Sequence, residues 1–357
     1  MDPLLINRKI DLVDFDSFKA FMFKDDNLYN TLIADERKNK DISEYYKQVN
    51  STGFIKQLNF SADFLRKPSN IVYVFLQHLI LNDVKFTSLD LGAHVGIFSL
   101  KCASFFRNIS HQGAIISFDP THAGALVDYN IRINGLEKYI KHEMIAISER
   151  GGIMNITYNP KHSDASKLTS AEGASVISLY EMFRFFIKAS LKSKVTFLNK
   201  IISKAGGVIF KRNDEYSLLV ESVNIVDYLN KNKIDSNLFI KIDIEGFDKR
   251  IIHQIMPVLS ERVIGIITEF VSYNDPNAVK YLQYLSQYFY ILDIGYAPSP
   301  FKCERIDENK FEEFAQGIVY RKFGYTDILL ISKRTPSVND LLAKFNNIVS
   351  MEEQYML

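Results

Sequence analysis

The chain has 357 residues, 47% hydrophobic and 13% aromatic, which is enough apolar material for one large core and an accessory region. Lys and Arg total 43 against 42 Asp and Glu, so net charge gives no indication of a polyanionic partner. Cys102 and Cys303 stand far apart and outside any CxxC pattern, which disfavours a disulfide framework or zinc site and favours a reducing compartment. The chain shows no secretory signal pattern and no apolar run near the ~20 residues of a spanning helix. A cytoplasmic location is therefore expected.

The predicted elements begin with a mainly helical region. Residues 1–84 carry few strand signals, and the apolar run from Asn70 to Leu81 predicts a helix that enters the main domain. We expect this region to be an accessory or cap structure.

From Phe86 the sequence alternates between strand and helix patterns. Strands are predicted over 86–91, 114–119, 140–147, 237–244 and 263–268, and helices over 97–106, 123–134 and 248–259. Two further apolar runs, 288–294 and 327–331, are suited to close the edge of a sheet. Strands joined by crossover helices predict an α/β fold of the Rossmann-like type, a mostly parallel central sheet with helices on both faces.

The most informative motif lies where the first strand of this domain turns into its helix. Asp90 precedes a loop with Gly92 and Gly96 in the spacing D-x-G-x-x-x-G, at the strand end where such sheets bind ligands. The spacing differs from the G-x-G-x-x-G of dinucleotide loops. An acid before the loop suits the ammonium and sulfonium of S-adenosyl-L-methionine, whereas it would repel a pyrophosphate. The alternative for each glycine is an ordinary turn.

A second acid, Asp119, follows the next strand and precedes Pro120. A carboxylate there can accept both hydroxyls of an adenosine ribose, although it could also cap the following helix. Met144 and Ala146, at the end of the third strand, are expected near the adenine. The predicted cofactor-binding set is Asp90, Gly92, Ala93, His94, Gly96, Asp119, Pro120, Met144 and Ala146.

Further motifs are shared with a known family. The succession DLGAHVGIFSL, SFDP, NIRINGL, IAIS, FIKIDIEGFDKRII and IITEF resembles the FkbM-type methyltransferases over about residues 86 to 333, apart from one insertion. The distinctive K-x-D-x-E-G block of that family stands here as Lys241, Asp243, Glu245 and Gly246. The family usually has a second acid soon after E-G, and Asp248 is slightly shifted from that position.

The resemblance implies a class I methyltransferase fold and S-adenosyl-L-methionine as methyl donor. It also implies O-methylation, with a saccharide or glycoconjugate as acceptor. A polyketide, lipid or other secondary metabolite is the alternative acceptor, and an NAD-dependent oxidoreductase is the alternative enzyme class.

The K-x-D-x-E block alternates with isoleucines, so a period-two strand would place its three ionisable groups on one face, with Glu269 at the same rim. Asp243 or Glu245 could act as the base for an acceptor hydroxyl, while Lys241 orients the carboxylates and Glu269 binds the acceptor. Alternatively, Asp243, Glu245 and Glu269 could hold a divalent cation such as Mg²⁺. The third alternative is an ion-pair cluster that only stabilises the strand.

The methyltransferase domain is expected over 85–335, with an insertion at about 172–217 and a C-terminal tail over 336–357. The segment 181–212 of the insertion is basic and predicts a helix that is solvated or that contacts a membrane surface or lipid-linked acceptor. Its basic residues are Arg184, Lys188, Lys192, Lys194, Lys200, Lys204, Lys211 and Arg212. Basic residues concentrate only there and no N-P-P-Y type block occurs, so no nucleic-acid partner is expected. The N-terminal region and the insertion could each bury a homodimer face.

Overall fold

The computed structural model describes eleven stretches of the chain. They are residues 10–15, 18–23, 69–121, 123–159, 162–170, 210–212, 215–244, 246–272, 275–295, 303–319 and 325–346. His122, Glu245 and nearly all of the basic segment 181–212 lie outside the described residues.

The described strands and helices have the following bounds. The strands are β1 Ile10–Phe15, β2 Phe18–Phe23, β3 Phe86–Leu91, β4 Ala114–Phe118, β5 Ile140–Glu143, β6 Ala146–Ile147, β7 Gly152–Asn159, β8 His162–Ser170, β9 Phe210–Arg212, β10 Glu215–Val223, β11 Asn237–Ile242, β12 Val263–Val271, β13 Phe289–Gly295, β14 Glu304–Arg305 and β15 Tyr325–Ser332. The α-helices are α1 Ser69–Leu81, α2 Ile97–Asn108, α3 Gly124–Ile133, α4 Ile225–Lys231, α5 Asp248–Leu259, α6 Ala278–Ser286 and α7 Phe311–Val319, and a further helix spans 338–346.

The central sheet has eight strands in the order β14-β13-β15-β12-β11-β3-β4-β5. The pairs β4–β5 and β11–β12 are parallel. Strand β15 is antiparallel to both of its neighbours, β12 and β13, so those two run parallel to each other. With β3 as the first strand and without β15 and the short edge strand β14, this is the doubly wound order 3-2-1-4-5-6. The prediction of a Rossmann-like α/β fold is confirmed.

The contacts divide the chain into two units. One comprises residues 1–33, 89–235 and 243–258, and the other 34–88, 236–242 and 259–357. The first unit contains the hairpin β1–β2 and a second, five-stranded sheet in which β6, β10, β7 and β8 are neighbours and β9 pairs with β10. In the second unit the rings of Phe75 and Phe239, both fully buried, meet edge to face with centroids 5.3 Å apart.

The predicted third strand and the N-terminal region differ from what the sequence predicts. The predicted third strand, 140–147, is divided: β5 ends at Glu143 in the central sheet, and β6 pairs with β10 in the five-stranded sheet. An apolar run predicts extended backbone, but it does not indicate a change of sheet within the run. The described part of residues 1–84 contains a β-hairpin as well as helix α1.

No helix in the described ranges is long and apolar enough to cross a membrane.

Candidate functional site

The turn between β3 and α2, residues 92–96, is held by hydrogen bonds from its own backbone, and we call it the β3–α2 loop. The amides of Gly92 and Ala93 both donate to the carbonyl of Phe118, each at 3.0 Å. The amide of His94 donates to Asp119 Oδ2 at 2.7 Å, and that of Gly96 to the carbonyl of Ala93 at 2.8 Å. Four of the five loop amides therefore bind acceptors within the protein.

Both loop glycines adopt backbone conformations that favour glycine. Gly92 has φ of +84°, and a Cβ on it would lie 1.9 Å from the carbonyl oxygen of Asp243. Gly96 has φ of +86° at the N-cap of α2, and its Cβ would meet Val127 at 3.2 Å. The close approach of the Asp243 backbone therefore requires glycine at position 92, independently of any ligand.

Asp90 is fully buried at the end of β3. Its Oδ2 accepts a hydrogen bond of 2.7 Å from Ser99 Oγ in α2. Burial, and then the charge of Asp90, raise the pKa of the Cys102 thiol well above its ordinary value. The carboxylate thus joins the strand to the following helix, and its contact with a ligand ammonium stays a prediction.

Asp119 is buried directly after β4 and connects two loops through its carboxylate. Its Oδ1 accepts from the amide of Thr121 at 2.8 Å and from Thr121 Oγ1 at 2.5 Å, while Oδ2 accepts from His94. An ionised carboxylate has about four acceptor positions. Three are occupied by the described residues, which leaves room for about one more hydrogen bond, and contact with the ribose hydroxyls stays a prediction.

A polar cluster surrounds the end of β5. Glu143 Oε1 accepts from Lys141 Nζ at 2.6 Å and from Tyr228 Oη at 2.8 Å. Lys141 Nζ also lies 3.2 Å from Tyr228 Oη, and the Tyr228 ring meets Phe118 edge to face at 5.0 Å. Burial and the adjacent Glu143 raise the pKa of Tyr228 to about 12. The hydrogen bond to Glu143 chiefly raises the pKa of Lys141. The cluster is next to Asp119, whose amide donates to the carbonyl of Glu143 at 3.2 Å.

The other predicted cofactor residues follow β4 and β5. Pro120 and Met144 are half-buried. Ala146 is buried in a small core with Ile156 and Val220, which belongs to the five-stranded sheet.

The acidic block begins where β11 ends. Ile240 and Ile242 are fully buried and Lys241 between them is half-buried, as a period-two strand requires. The strand ends at Ile242, so alternation does not fix the direction of the Asp243 side chain, and Asp243 is exposed. Asp248, which is buried, accepts a hydrogen bond of 2.9 Å from the amide of Ile244 and so closes the turn before α5.

Glu269 is half-buried in β12, opposite Asp327 of β15 in the antiparallel register. Among the described residues, no group of three or more His, Cys, Asp or Glu side chains could hold a metal ion. The cation hypothesis also needs Glu245, which lies outside the described residues, so it stays a prediction.

The second unit has a cleft of about 430 Å³ between the start of α6 and helix α7. Ser272, Asp275, Glu312 and Gln316 are among its polar lining residues. Ser272 donates through Oγ to the carbonyl of Ala315 at 2.7 Å. Such a lining can bind hydroxyl groups through several acceptors.

Comparisons with known proteins assign this chain to no family. No protein-family model matches the chain. No curated protein matches it. The FkbM-type resemblance is therefore not confirmed and stays a prediction. Among solved structures, a precorrin-6y C5,15-methyltransferase from Geobacter metallireducens GS-15 is 10% identical over 74% of this chain and 88% of that chain, with a TM-score of 0.30. The fold assignment therefore rests on the strand order.

Several residues of the site were not predicted from the sequence. Thr121, Ser99, Lys141 and Tyr228 each bind one of the acidic side chains described above. Thr121 and Lys141 had local signals, because an aspartate side chain commonly bonds the backbone two residues further on, and residues two apart in a strand share one face. Ser99 lies at a helix position without a distinctive pattern, and Tyr228 comes from a distant part of the chain.

Proposed function

We propose that the chain is an S-adenosylmethionine-dependent methyltransferase that methylates a hydroxyl oxygen of a saccharide or glycoconjugate. The observation that carries the cofactor assignment is the hydrogen bonding of the β3–α2 loop. A dinucleotide loop presents backbone amides to a pyrophosphate. Here the amides of Gly92, Ala93 and His94 donate to Phe118 and Asp119. This use of the amides disfavours the alternative of an NAD-dependent oxidoreductase.

The strand order supports the same cofactor. Strand β15 lies antiparallel between β12 and β13. An antiparallel strand at this place is what the class I methyltransferase fold adds to the doubly wound order.

The acidic residues at the strand ends fit a cationic nucleoside. Asp119 is buried beside the β3–α2 loop and retains room for about one acceptor contact, which suits one ribose hydroxyl. Asp90 contributes negative charge below the loop, which favours a ligand with ammonium and sulfonium groups.

For the chemical step, S-adenosylmethionine supplies an electrophilic methyl group when bound. The acceptor oxygen must lie in line with the bond that breaks, so orientation contributes much of the rate. We assign removal of the hydroxyl proton to Asp243 or Glu245, orientation of these carboxylates to Lys241, and acceptor binding to Glu269. Asp243 is exposed, and its backbone abuts Gly92 of the loop. The saccharide class itself rests on the resemblance to the FkbM-type enzymes.

The first experiment is a calorimetric titration of the purified chain with S-adenosylmethionine and, separately, with NAD. We expect a dissociation constant in the micromolar range, about −7 to −8 kcal/mol, for the first ligand and no heat for the second. Asp119→Ala should weaken binding by about tenfold or more, since it removes a charge-assisted hydrogen bond.

Thr121→Ala is the matched control, because it removes a hydrogen bond to Asp119 while the carboxylate remains. If Thr121→Ala and Asp119→Ala weaken binding equally, the carboxylate acts through loop geometry and not through the ribose. Binding of NAD without S-adenosylmethionine would contradict the proposed function.

A further inference from the structure

The N-terminal hairpin is attached to helix α3 by two asparagines four residues apart. Asn130 Oδ1 accepts from the amide of Phe21 at 2.6 Å, and Asn130 Nδ2 donates to the carbonyl of Phe21 at 3.3 Å. Asn134 repeats the pattern with Lys19, at 2.8 Å for the amide and 2.6 Å for the carbonyl. Each carboxamide thus pairs with one residue of β2, as a residue of a neighbouring strand would.

Packing holds the same strand in place. Phe18, Ala20 and Met22 alternate with the two residues bound by the asparagines, and all three are buried. Because side chains alternate along a strand, these three share one face of β2. The hairpin is therefore part of the first unit and not a loose extension.

Asn130 makes one contact that Asn134 lacks. Its Nδ2 also donates to the carbonyl of Val95 in the β3–α2 loop, at 2.9 Å. Asn130 is fully buried, and a carboxamide offers two N–H groups and two acceptor positions. The two bonds to Phe21 fix the plane of the carboxamide, and this orientation directs its amino group to Val95.

We infer that Asn130 is a positioning residue that makes the β1–β2 hairpin a support of the β3–α2 loop. Hydrogen bonds within the loop's own backbone and to Phe118 and Asp119 also hold this loop. The bond from Asn130 adds a fixed point at Val95, and the hairpin orients that bond. The expected effect on ligand affinity rests on the proposed function, whereas the effect on the loop itself does not.

The test compares Asn130→Ala with Asn134→Ala, which remove the same side chain from neighbouring turns and disrupt equivalent contacts with β2. Only Asn130→Ala removes the bond to Val95. Amide hydrogen exchange without ligand should rise by about tenfold at His94 and Gly96 in Asn130→Ala, the order of magnitude for one buried hydrogen bond. In Asn134→Ala it should stay within about twofold of wild type at both amides. Affinity for S-adenosylmethionine should fall clearly in Asn130→Ala and stay near the wild-type value in Asn134→Ala.

A third variant, Ala20→Asp, tests the role of the hairpin without altering the two asparagine side chains. It places a carboxylate at a fully buried position of β2 and leaves both carboxamides intact. Exchange at His94 and Gly96 should rise by about threefold, because Asn130 then loses its orienting partner.

The exchange rates of the variants decide between the possibilities. Equal exchange in Asn130→Ala and Asn134→Ala, or no change in either, overturns the inference. Unchanged loop exchange in Ala20→Asp overturns the role of the hairpin. If wild type binds no S-adenosylmethionine but Asn130→Ala still raises loop exchange, the proposed function fails and the inference about the loop stands.

Discussion

Gly92 shows how one residue can be required by the backbone around it. A Cβ at this position would lie 1.9 Å from the carbonyl oxygen of Asp243, and φ is +84°. We expect Gly92→Ala to destabilise the protein by at least about 3 kcal/mol, through left-handed strain and a backbone clash. Denaturant unfolding followed by circular dichroism measures this loss.

Gly135→Ala is the matched control for that substitution. Gly135 also has positive φ, +63°, but a Cβ there would meet nothing within 4 Å. Its replacement should cost only the left-handed strain, about 1 to 2 kcal/mol. Equal losses in the two variants would show that the chain accommodates the contact at Asp243 by local movement.

At the scale of elements, Tyr228 links helix α4 to the end of β5. Tyr228 donates to Glu143, and its pKa is raised from 10.0 to about 12, first by burial and then by Glu143. The folded protein therefore keeps the phenolic proton at pH values where the unfolded chain releases it. This stabilisation is complete below about pH 10 and is lost as pH rises through about 12.

Tyr228→Phe should consequently flatten the decline of unfolding free energy between pH 10 and about 12. The measurement is urea unfolding at intervals across this range, for wild type and variant. Lys141, whose pKa is also raised, contributes a decline of the same sign in both proteins. Parallel curves for wild type and variant would contradict the assignment of this proton to Tyr228.

The sequence predicted best those elements whose pattern is local and complete. Strand β3 and helix α5 have the predicted bounds, because β3 ends at the glycine turn that begins with Gly92 and α5 has an acid in its first turn. Helices α4, α6 and α7 were not predicted. Each has nine or fewer residues, which leaves little room for a 3.6-residue period to show.

The acids and glycines of the site could be predicted from the sequence, but the residues that bind them could not. The positions of Asp90, Gly92 and Asp119 follow from the ends of strands. In contrast, Asn130 and Asn134 have the four-residue spacing of any helix face, so nothing in the sequence indicates that they pair with a strand 109 to 115 residues away. The end of β11 before Asp243 was also not predicted, because isoleucines continue the alternation to Ile244.

For the whole molecule, the balance of charge governs solubility. The formal net charge is +1 and the isoelectric point is near pH 7.7, so little like-charge repulsion opposes association at neutral pH. We expect a solubility minimum near pH 7.7 and a clear rise at about pH 6 and about pH 9.5. Precipitation by polyethylene glycol across this range measures it. A minimum far from that value would indicate that an exposed apolar surface, rather than net charge, drives association.

The space beside Gly92 has a consequence for surveys of genomes. Since the carbonyl of Asp243 fills that space, natural selection on folding alone would preserve the glycine. A relative without catalytic activity would still display D-x-G at the end of its first strand. Pattern searches with this motif will therefore collect inactive relatives together with enzymes. The acid that follows the second strand is subject to the same selection, because Asp119 accepts hydrogen bonds from His94 and Thr121 that join two loops.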